Sequence, residues 1–145
     1  MSLFTIEIIG RLFLATILGG VIGFEREKFG KEAGMRTHAL VALASALFTI
    51  VSKYGFDGEN VDPSRVASNI VVGIGFLGAG IILKQENRVK GLTTAAGLWV
   101  VAALGIIVGL GWYWLAMITT ILVYIVLLFT GLVPEAVKPK EERGK

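Results

Sequence analysis

The sequence predicts an all-α, polytopic membrane protein: a bundle of five transmembrane helices with its N-terminus outside and its C-terminus inside the cell. Of the 145 residues, 54% are hydrophobic and only 17% are charged, whereas an average soluble domain carries about 25% charged residues. The mean hydropathy of +0.75 is too high for a soluble domain of this size, because a small domain needs a large polar surface. The chain is also too apolar to be disordered.

The composition excludes several kinds of chemistry. The chain has no cysteine, which excludes disulfides, thiolate metal sites and thiol catalysis. His38 is the one histidine, too few for an imidazole metal site or a Ser-His-Asp triad. We therefore expect a protein that is not an enzyme and that uses no cofactor or metal. A net charge of +3 does not indicate nucleic acid as a partner, and the lipid bilayer is the expected one.

Five apolar segments are long enough, or nearly so, to cross a hydrocarbon core about 30 Å thick. The clearest region, 91–134, contains no Asp, Glu, Lys or Arg and is divided by a Gly-Leu-Gly turn. The uncharged segment 66–83 follows Asp62-Pro63, which is typical of a helix N-cap and first residue. The predicted spans are 3–24, 36–53, 64–84, 92–109 and 113–132, so that residues 1–133 form the membrane domain and residues 134–145 a short charged cytoplasmic tail.

The predicted orientation follows from the distribution of Lys and Arg, because cytoplasmic loops of membrane proteins are rich in both. Eleven of the 14 lie in the 24–36 loop, the 84–90 loop and the tail, which a five-span chain places on one side. Lys53 and Arg65 lie on the other side, and Arg11 lies within the first span. This bias predicts that the N-terminus is outside and the C-terminus is in the cytoplasm.

Glycines recur on three predicted helices at spacings that allow close packing in a membrane. We expect tight helix contacts there, and a homo-oligomer, with a two-fold dimer favoured, whose contact lies at the Gly19/Gly23 or Gly105/Gly109 face. An alternative for the stretch 73–80 is an unwound segment whose carbonyls line an ion path. The predicted packing residues are Gly19, Gly23, Gly73, Gly75, Gly78, Gly80, Gly105 and Gly109.

The intramembrane polar or amphipathic residues singled out by the sequence are Glu7, Arg11, Asn69 and Trp99. Glu7 and Arg11 are four residues apart and share a helix face, where pairing lowers the cost of placing either charge in lipid. One interpretation is a Glu7–Arg11 pair near the outer interface. The other turns Arg11 towards Asn69, at a similar depth. Trp99 is expected to contact another helix, because its indole N–H needs a partner at mid-membrane.

The loop between the first two spans predicts a functional polar cluster on the cytoplasmic side. Glu25 and Arg26 end the first span and Arg36 begins the second, so we expect Glu25 to pair with Arg36, whose guanidinium can bind a carboxylate bidentately. Arg26 and Lys90 then remain free to bind a lipid phosphate or an acidic group of a partner. The predicted cluster is Glu25, Arg26, Arg36, Thr37, Lys90, Thr93 and Thr94.

The remaining polar residues have simpler expected roles. Thr93 or Thr94 is expected to cap the helix that begins at 92, whose positive end favours Glu25 or an anionic ligand. Glu32 is expected to be solvated, and His38 to lie at the membrane interface rather than to act in catalysis. The acidic residues of the 57–62 loop offer oxygen ligands for a divalent cation, but Asp62 is already explained as a helix cap.

Four blocks of this sequence resemble the MgtC/SapB family of membrane proteins. They are GGVIGFERE at 19–27, GMRTHALV at 34–41, GIGFLGAG at 73–80 and VKGLTTAAGLW at 89–99. The blocks keep their order and spacing, and the match extends from about residue 11 to residue 111. Lys90 stands where an arginine is common in the family, and a lysine cannot make the same bidentate contact.

The resemblance implies a bacterial or archaeal inner-membrane protein linked to growth at low magnesium, in a family with members that support survival inside host phagocytes. It also implies a regulatory role, exerted on other membrane proteins such as the F-type ATP synthase. The best-known members carry a cytoplasmic C-terminal domain, and about a dozen residues follow the last predicted span here, so a short form is expected. The alternative is a small oligomeric Mg²⁺ transporter or channel, although Glu7 is the only acidic residue within a span and Arg11 neutralises it.

Overall fold

The computed structural model describes residues 3–56, 58, 62–85 and 88–132. Within these residues the chain forms five helices and one short antiparallel hairpin, which confirms the predicted all-α class. The tail predicted at 134–145 lies outside the described residues. The elements are α1 Leu3–Lys28, α2 Met35–Tyr54, α3 Ser64–Ile81, β1 Leu83–Gln85, β2 Arg88–Lys90, α4 Leu92–Leu110 and α5 Tyr113–Leu132.

The helices are long and apolar enough for a membrane bundle. Four of them, α1 to α4, meet the length and hydropathy of a membrane span, and α5 has a shorter apolar part, Tyr113–Phe129. The start of α1 contacts the ends of α2 and α4 and the start of α5, whereas the end of α1 contacts the start of α2. We call these the Arg11 end and the Glu25 end of the bundle, after the buried charge at each.

The helix boundaries follow from local sequence. The Ser64 N–H donates to Asp62 Oδ1 at 2.9 Å, so Asp62 stabilises the start of α3 as predicted, although the N-cap position itself falls on Pro63. The predicted end of this helix at 84 is wrong, because Leu83 already pairs with Lys90 in the hairpin. Gly91 precedes α4 in the left-handed region at φ +85°, where a side chain would be strained.

The core lies where α1, α2 and α4 meet, and α3 and α5 pack around it. The central layer of this core is apolar and closely packed. Its fully buried side chains include Ala15, Ile22, Ala42, Leu98, Val101 and Leu104.

Close helix contacts depend on glycines of α1 and α4. A Cβ on Gly23 would lie 2.7 Å from the Cα of Met35, and a Cβ on Gly109 would lie 2.8 Å from the Cβ of Thr49, both in α2. Gly19 and Gly105 also face the α2 backbone, so the predicted packing at these glycines is confirmed. However, α2 of the same chain fills this face, and the prediction that it forms a dimer contact is wrong. The homo-oligomer itself stays a prediction.

The glycines of α3 behave differently. A Cβ on Gly73, Gly75 or Gly80 would meet nothing within 4 Å, and one on Gly78 would lie 3.6 Å from the Cβ of Ala95. The predicted close packing is therefore wrong for the first three within this chain. The alternative of an unwound segment is wrong as well, since α3 is a continuous helix through the whole stretch. Three glycines of α3 are therefore open, and two of them, Gly73 and Gly80, share one side of the helix.

Candidate functional site: the buried charges at the two ends of the bundle

The first group of polar residues, the Arg11 cluster, comprises Glu7, Arg11, Tyr54, Tyr113 and the carbonyl of Gly109. Arg11 is 7% exposed, and its Nη1 donates to Gly109 O at 2.7 Å and to Tyr54 Oη at 3.4 Å. Its Nε donates to Tyr113 Oη at 3.2 Å, and its Nη2 donates to Glu7 Oε1 at 2.5 Å. One guanidinium thus joins four helices.

The Arg11 cluster explains a structural need. The last carbonyls of a helix have no partner within the helix, and the helix dipole places partial negative charge there. Gly109 is in the last turn of α4, so the cation of Arg11 satisfies a carbonyl that would otherwise be bare. All three nitrogens of the Arg11 guanidinium donate hydrogen bonds. We therefore interpret the Arg11 cluster as structural: it links the helices to one another, and we call this role a clasp.

The sequence predictions for the intramembrane polar residues have mixed outcomes. The Glu7–Arg11 pair is confirmed. The alternative partner is wrong, because the Asn69 side chain donates to Arg65 O of its own helix at 3.0 Å. Trp99 is 52% exposed, so the rest of this chain covers only about half of it, and its expected helix contact stays a prediction.

The second group, the Glu25 cluster, comprises Glu25, Arg26, Glu32, His38 and Thr94 at the opposite end. Glu25 and Arg26 are each 3% exposed, and His38 is fully buried. The Glu25 Oε2 atom lies 3.6 Å from Arg26 Nη1, an ion-pair distance but too long for a hydrogen bond.

The predicted pairing of Glu25 with Arg36 is wrong. The first helix continues to Lys28, four residues beyond the predicted end, and this keeps Glu25 on the buried face that includes Ile22. Arg36 is exposed on the first turn of α2, so it does not reach the buried carboxylate. Arg26, the adjacent residue, is the charge that accompanies Glu25.

The structure brings together only part of the predicted cluster. Thr94 is 1% exposed, and its hydroxyl donates to Glu32 Oε2 at 2.7 Å. Neither threonine caps α4, since its N-cap is Gly91, which makes no side-chain cap bond. Two residues of the predicted cluster, Lys90 and Thr93, are exposed, and Thr37 is half-buried.

Glu32 is exposed, as the sequence predicts, and its carboxylate also accepts a hydrogen bond from Thr94. The hydrogen bond from Thr94 is the main reason why the pKa of Glu32 lies below its usual value, with a smaller contribution from a backbone hydrogen bond and from the charges of Lys31 and Arg26. The carboxylate lies beside the first turn of α4, where the helix dipole favours negative charge. The predicted anionic group at this helix start is therefore Glu32 rather than Glu25.

His38 was expected at the membrane interface and is instead enclosed by α1, α2 and α4. Its Nδ1 lies 2.9 Å from Gly34 O, so this nitrogen carries the proton and donates. Its Nε2 faces Gly97, where an added Cβ would lie only 3.7 Å away. The sequence signal that can identify this burial is the glycine pair of α1, because Gly19 and Gly23 leave the space that the His38 turn occupies.

Three buried atoms of the Glu25 cluster have no hydrogen-bond partner among the described residues: Glu25 Oε2, Arg26 Nε and His38 Nε2. Burying such groups unpaired is costly, so native proteins rarely do so without a functional reason. The Glu25 cluster can exchange hydrogen bonds or protons with a further polar group, whereas the Arg11 cluster is already satisfied. We therefore take the Glu25 cluster as the candidate functional site.

A metal centre is not indicated by the arrangement of donors. In the described part of the chain, no group of three or more His, Cys, Asp or Glu residues could hold a metal ion. The divalent-cation site considered for the 57–62 loop depends on Asp57 and Glu59, which lie outside the described residues.

An all-helical bundle with four spans of sufficient length defines a multi-pass membrane protein. The model of the MgtC family matches residues 12–135, and the chain belongs to that family.

Three relatives show how far the similarity extends. The chain is 50% identical over 129 residues to a putative magnesium transporter, YhiD, of Escherichia coli strain K12, covering 85% of this chain and 60% of YhiD. It is 52% identical over 97 residues to protein MgtC of Brucella abortus, covering 67% of this chain and 40% of that protein. It is 44% identical over 123 residues to protein SrpB of Synechococcus elongatus, with coverage of 76% and 67%.

The chain therefore spans about 60% of YhiD and 40% of the Brucella MgtC protein. No solved structure matches the chain.

Proposed function

We propose that this protein is a non-catalytic regulator in the bacterial inner membrane, which helps the cell adapt to low magnesium by binding other membrane proteins through helix contacts. Membership of the MgtC family and the names of its relatives support the link to magnesium. The distribution of Lys and Arg supports an N-out, C-in orientation, with the Glu25 cluster on the cytoplasmic side.

The observation that carries the proposal is the layer between the two clusters. From the turn after Arg11 to the turn before Glu25, the helices carry no Asp, Glu, Lys or Arg. The interior there consists of closely packed apolar side chains such as Leu98, Val101 and Leu104. A path for a divalent cation needs carboxylates or rings of carbonyls, and a single copy of this bundle offers neither at mid-membrane.

The surface of α3 supports binding to a partner helix. Gly73 and Gly80 are seven residues apart and share one side of α3, where a Cβ on either would meet nothing within 4 Å. Glycines on a membrane helix allow a second backbone to approach closely. Phe76 beside them is 89% exposed. The partner is a helix of another membrane protein, and the resemblance makes the F-type ATP synthase one candidate.

The second candidate function is a small oligomeric Mg²⁺ transporter, which the name of the YhiD relative supports. Such a transporter requires a pore between subunits, because the single bundle has an apolar centre. The two functions differ in one measurable quantity, the flux of Mg²⁺ through the purified protein.

Reconstitution into vesicles that contain a Mg²⁺-sensitive dye separates the two functions. A regulator gives the same Mg²⁺ influx as protein-free vesicles, while its gene restores growth at low magnesium to a strain that lacks its own MgtC-family gene. Influx that scales with the amount of protein and with the Mg²⁺ gradient would contradict the proposal and favour the transporter. Failure to restore growth would contradict the link to magnesium itself.

A further inference from the structure

An apolar cleft of about 580 Å³ opens sideways from the bundle between α1, the start of α2 and α5. It lies in the half of the bundle nearer the Glu25 end. Its walls include Ile17, Gly20 and Phe24 of α1, Met35 and Ala39 of α2, and Ile121 of α5. This volume is within the range of about 300–1,000 Å³ that is typical of small-molecule sites.

Gly20 lines the cleft but is itself buried, because the side chains of Met35 and Ala39 lie against it. A Cβ on Gly20 would meet only the side chains of Met35 and Ala39, at 3.7–3.9 Å. These are ordinary contact distances, in contrast to the overlaps at Gly19 and Gly23. The helices are therefore not in close contact at Gly20, and the space beside it can hold a flexible apolar chain.

The acidic residues near this cleft are engaged within the protein. Glu25 is buried beside Arg26. The Met35 N–H donates to Glu27 Oε2 at 2.9 Å, at the start of α2, and Glu32 accepts from Thr94. Glu25 is therefore withdrawn from the surface, whereas Glu27 and Glu32 are exposed residues whose carboxylates each accept one hydrogen bond.

The basic residues of the same segment point outwards. Lys28, Lys31 and Arg36 are exposed, and none forms an ion pair with a described residue. Lys28 follows Phe24 of the cleft wall by four residues, and Arg36 precedes Ala39 by three, so each shares a helix face with a wall residue. The mouth of the apolar cleft thus has two exposed cations, Lys28 and Arg36, beside the hydrogen-bonded carboxylate of Glu27. We call the two cations the rim.

We propose that this cleft binds an anionic phospholipid, with one acyl chain along Ile17 and Phe24 of α1 and its phosphate held by Lys28 and Arg36. Basic sites between membrane helices bind anionic headgroups in this way. The apolar wall of the cleft fits an acyl chain, and the two cations of the rim attract the negative charge of the headgroup. A zwitterionic lipid with the same chains fits the wall but gains less from the rim.

Native mass spectrometry of the full chain tests this proposal with phosphatidylglycerol and phosphatidylcholine of identical acyl chains. We expect wild type to bind phosphatidylglycerol more tightly, by roughly fivefold for each cation of the rim. The Lys28→Gln/Arg36→Gln variant loses this preference. A charge-matched control, Lys53→Gln/Arg65→Gln at the Arg11 end, keeps it.

A second pair of variants tests the cleft itself. Gly20→Leu fills the space beside α1 and lowers binding of both lipids, whereas Gly10→Leu, on an α1 surface with nothing within 4 Å, leaves binding unchanged. Equal affinity of wild type for the two lipids would overturn the proposal. So would a preference that survives in Lys28→Gln/Arg36→Gln, because the charge selectivity would then arise elsewhere in the chain.

Discussion

The two most buried arginines, Arg11 and Arg26, differ in what surrounds their guanidinium groups. Arg11 donates to a carbonyl, two tyrosine hydroxyls and a carboxylate on four helices. Arg26 has a single buried carboxylate nearby, at ion-pair distance, and its Nε is without a partner among the described residues. The burial of Arg11 is explained by the hydrogen bonds that it makes, which stabilise the fold, whereas the burial of Arg26 is not explained in this way.

Replacement of Arg11 by methionine is expected to lower the free energy of unfolding by about 3 kcal/mol. The variant leaves the Gly109 carbonyl and two tyrosine hydroxyls without their shared donor. Thermal unfolding in detergent measures the loss. Glu7→Gln is the matched control and loses less, because the Glu7 side chain is 51% exposed and water can replace the partner. Equal losses in the two variants would contradict the role of Arg11 as the clasp.

Glu32 gives a pH-dependent prediction. Its folded-state pKa is lowered from 4.5, mainly by the Thr94 hydroxyl, so its contribution to stability is complete above that value and is lost as the pH falls through the folded-state pKa. The difference in melting temperature between wild type and Glu32→Gln is therefore expected to be full at pH 7 and to shrink below pH 4.5. Thr94→Val should flatten this dependence. A difference that is the same at pH 7 and pH 3 would contradict it.

Sequence spacing could predict contacts within one helix but not those between helices. Glu7 and Arg11 are recognisable as a pair because four residues separate them. Tyr54, Tyr113 and the Gly109 carbonyl reach Arg11 only after α2, α4 and α5 have packed. The same limit explains the error at Glu25, whose neighbour depends on how far α1 extends and which face it buries.

At the scale of helices, the glycines divide into packed and open sets. A Cβ on Gly105 would overlap the Ala42 carbonyl oxygen and lie 2.7 Å from the Cβ of Ser45, while Gly73 has nothing within 4 Å. Gly105→Ala is therefore expected to destabilise the protein by about 1–3 kcal/mol. Gly73→Ala in α3 should leave stability unchanged or raise it by up to about 1 kcal/mol. Melting curves of the two variants that coincide would contradict the division.

Glycine spacing predicts that a helix can pack closely, but it does not identify the helix that packs against it. The pattern on α1 and α4 is satisfied by α2, whereas in the similar pattern on α3 only Gly78 has a neighbour among the described residues, Ala95 of α4. The presence of the helices is easier to predict than their packing partners, because an apolar segment of about 20 residues can cross a bilayer only as a helix in a protein of this kind. The hairpin after α3 was missed, since its strands have only three residues each.

At the scale of the whole molecule, the orientation predicted from Lys and Arg can be measured without background, because the chain has no cysteine. A membrane-impermeant maleimide should label Ser64→Cys, at the start of α3, in intact cells. Lys31→Cys, between α1 and α2, should react only after the membrane is permeabilised. Labelling of both sites from the same side, or the reverse pattern, would contradict the five-span, N-out arrangement.

The central claim is that the Arg11 cluster holds the bundle together and the Glu25 cluster performs its function. The variant Glu25→Leu/Arg26→Met replaces the buried pair with apolar side chains, a change that is often neutral or stabilising. The most direct test measures its melting temperature and its rescue of growth at low magnesium, beside wild type. We predict an unchanged or higher melting temperature and a loss of rescue. Full rescue by this variant would contradict the claim that the Glu25 cluster is the functional site.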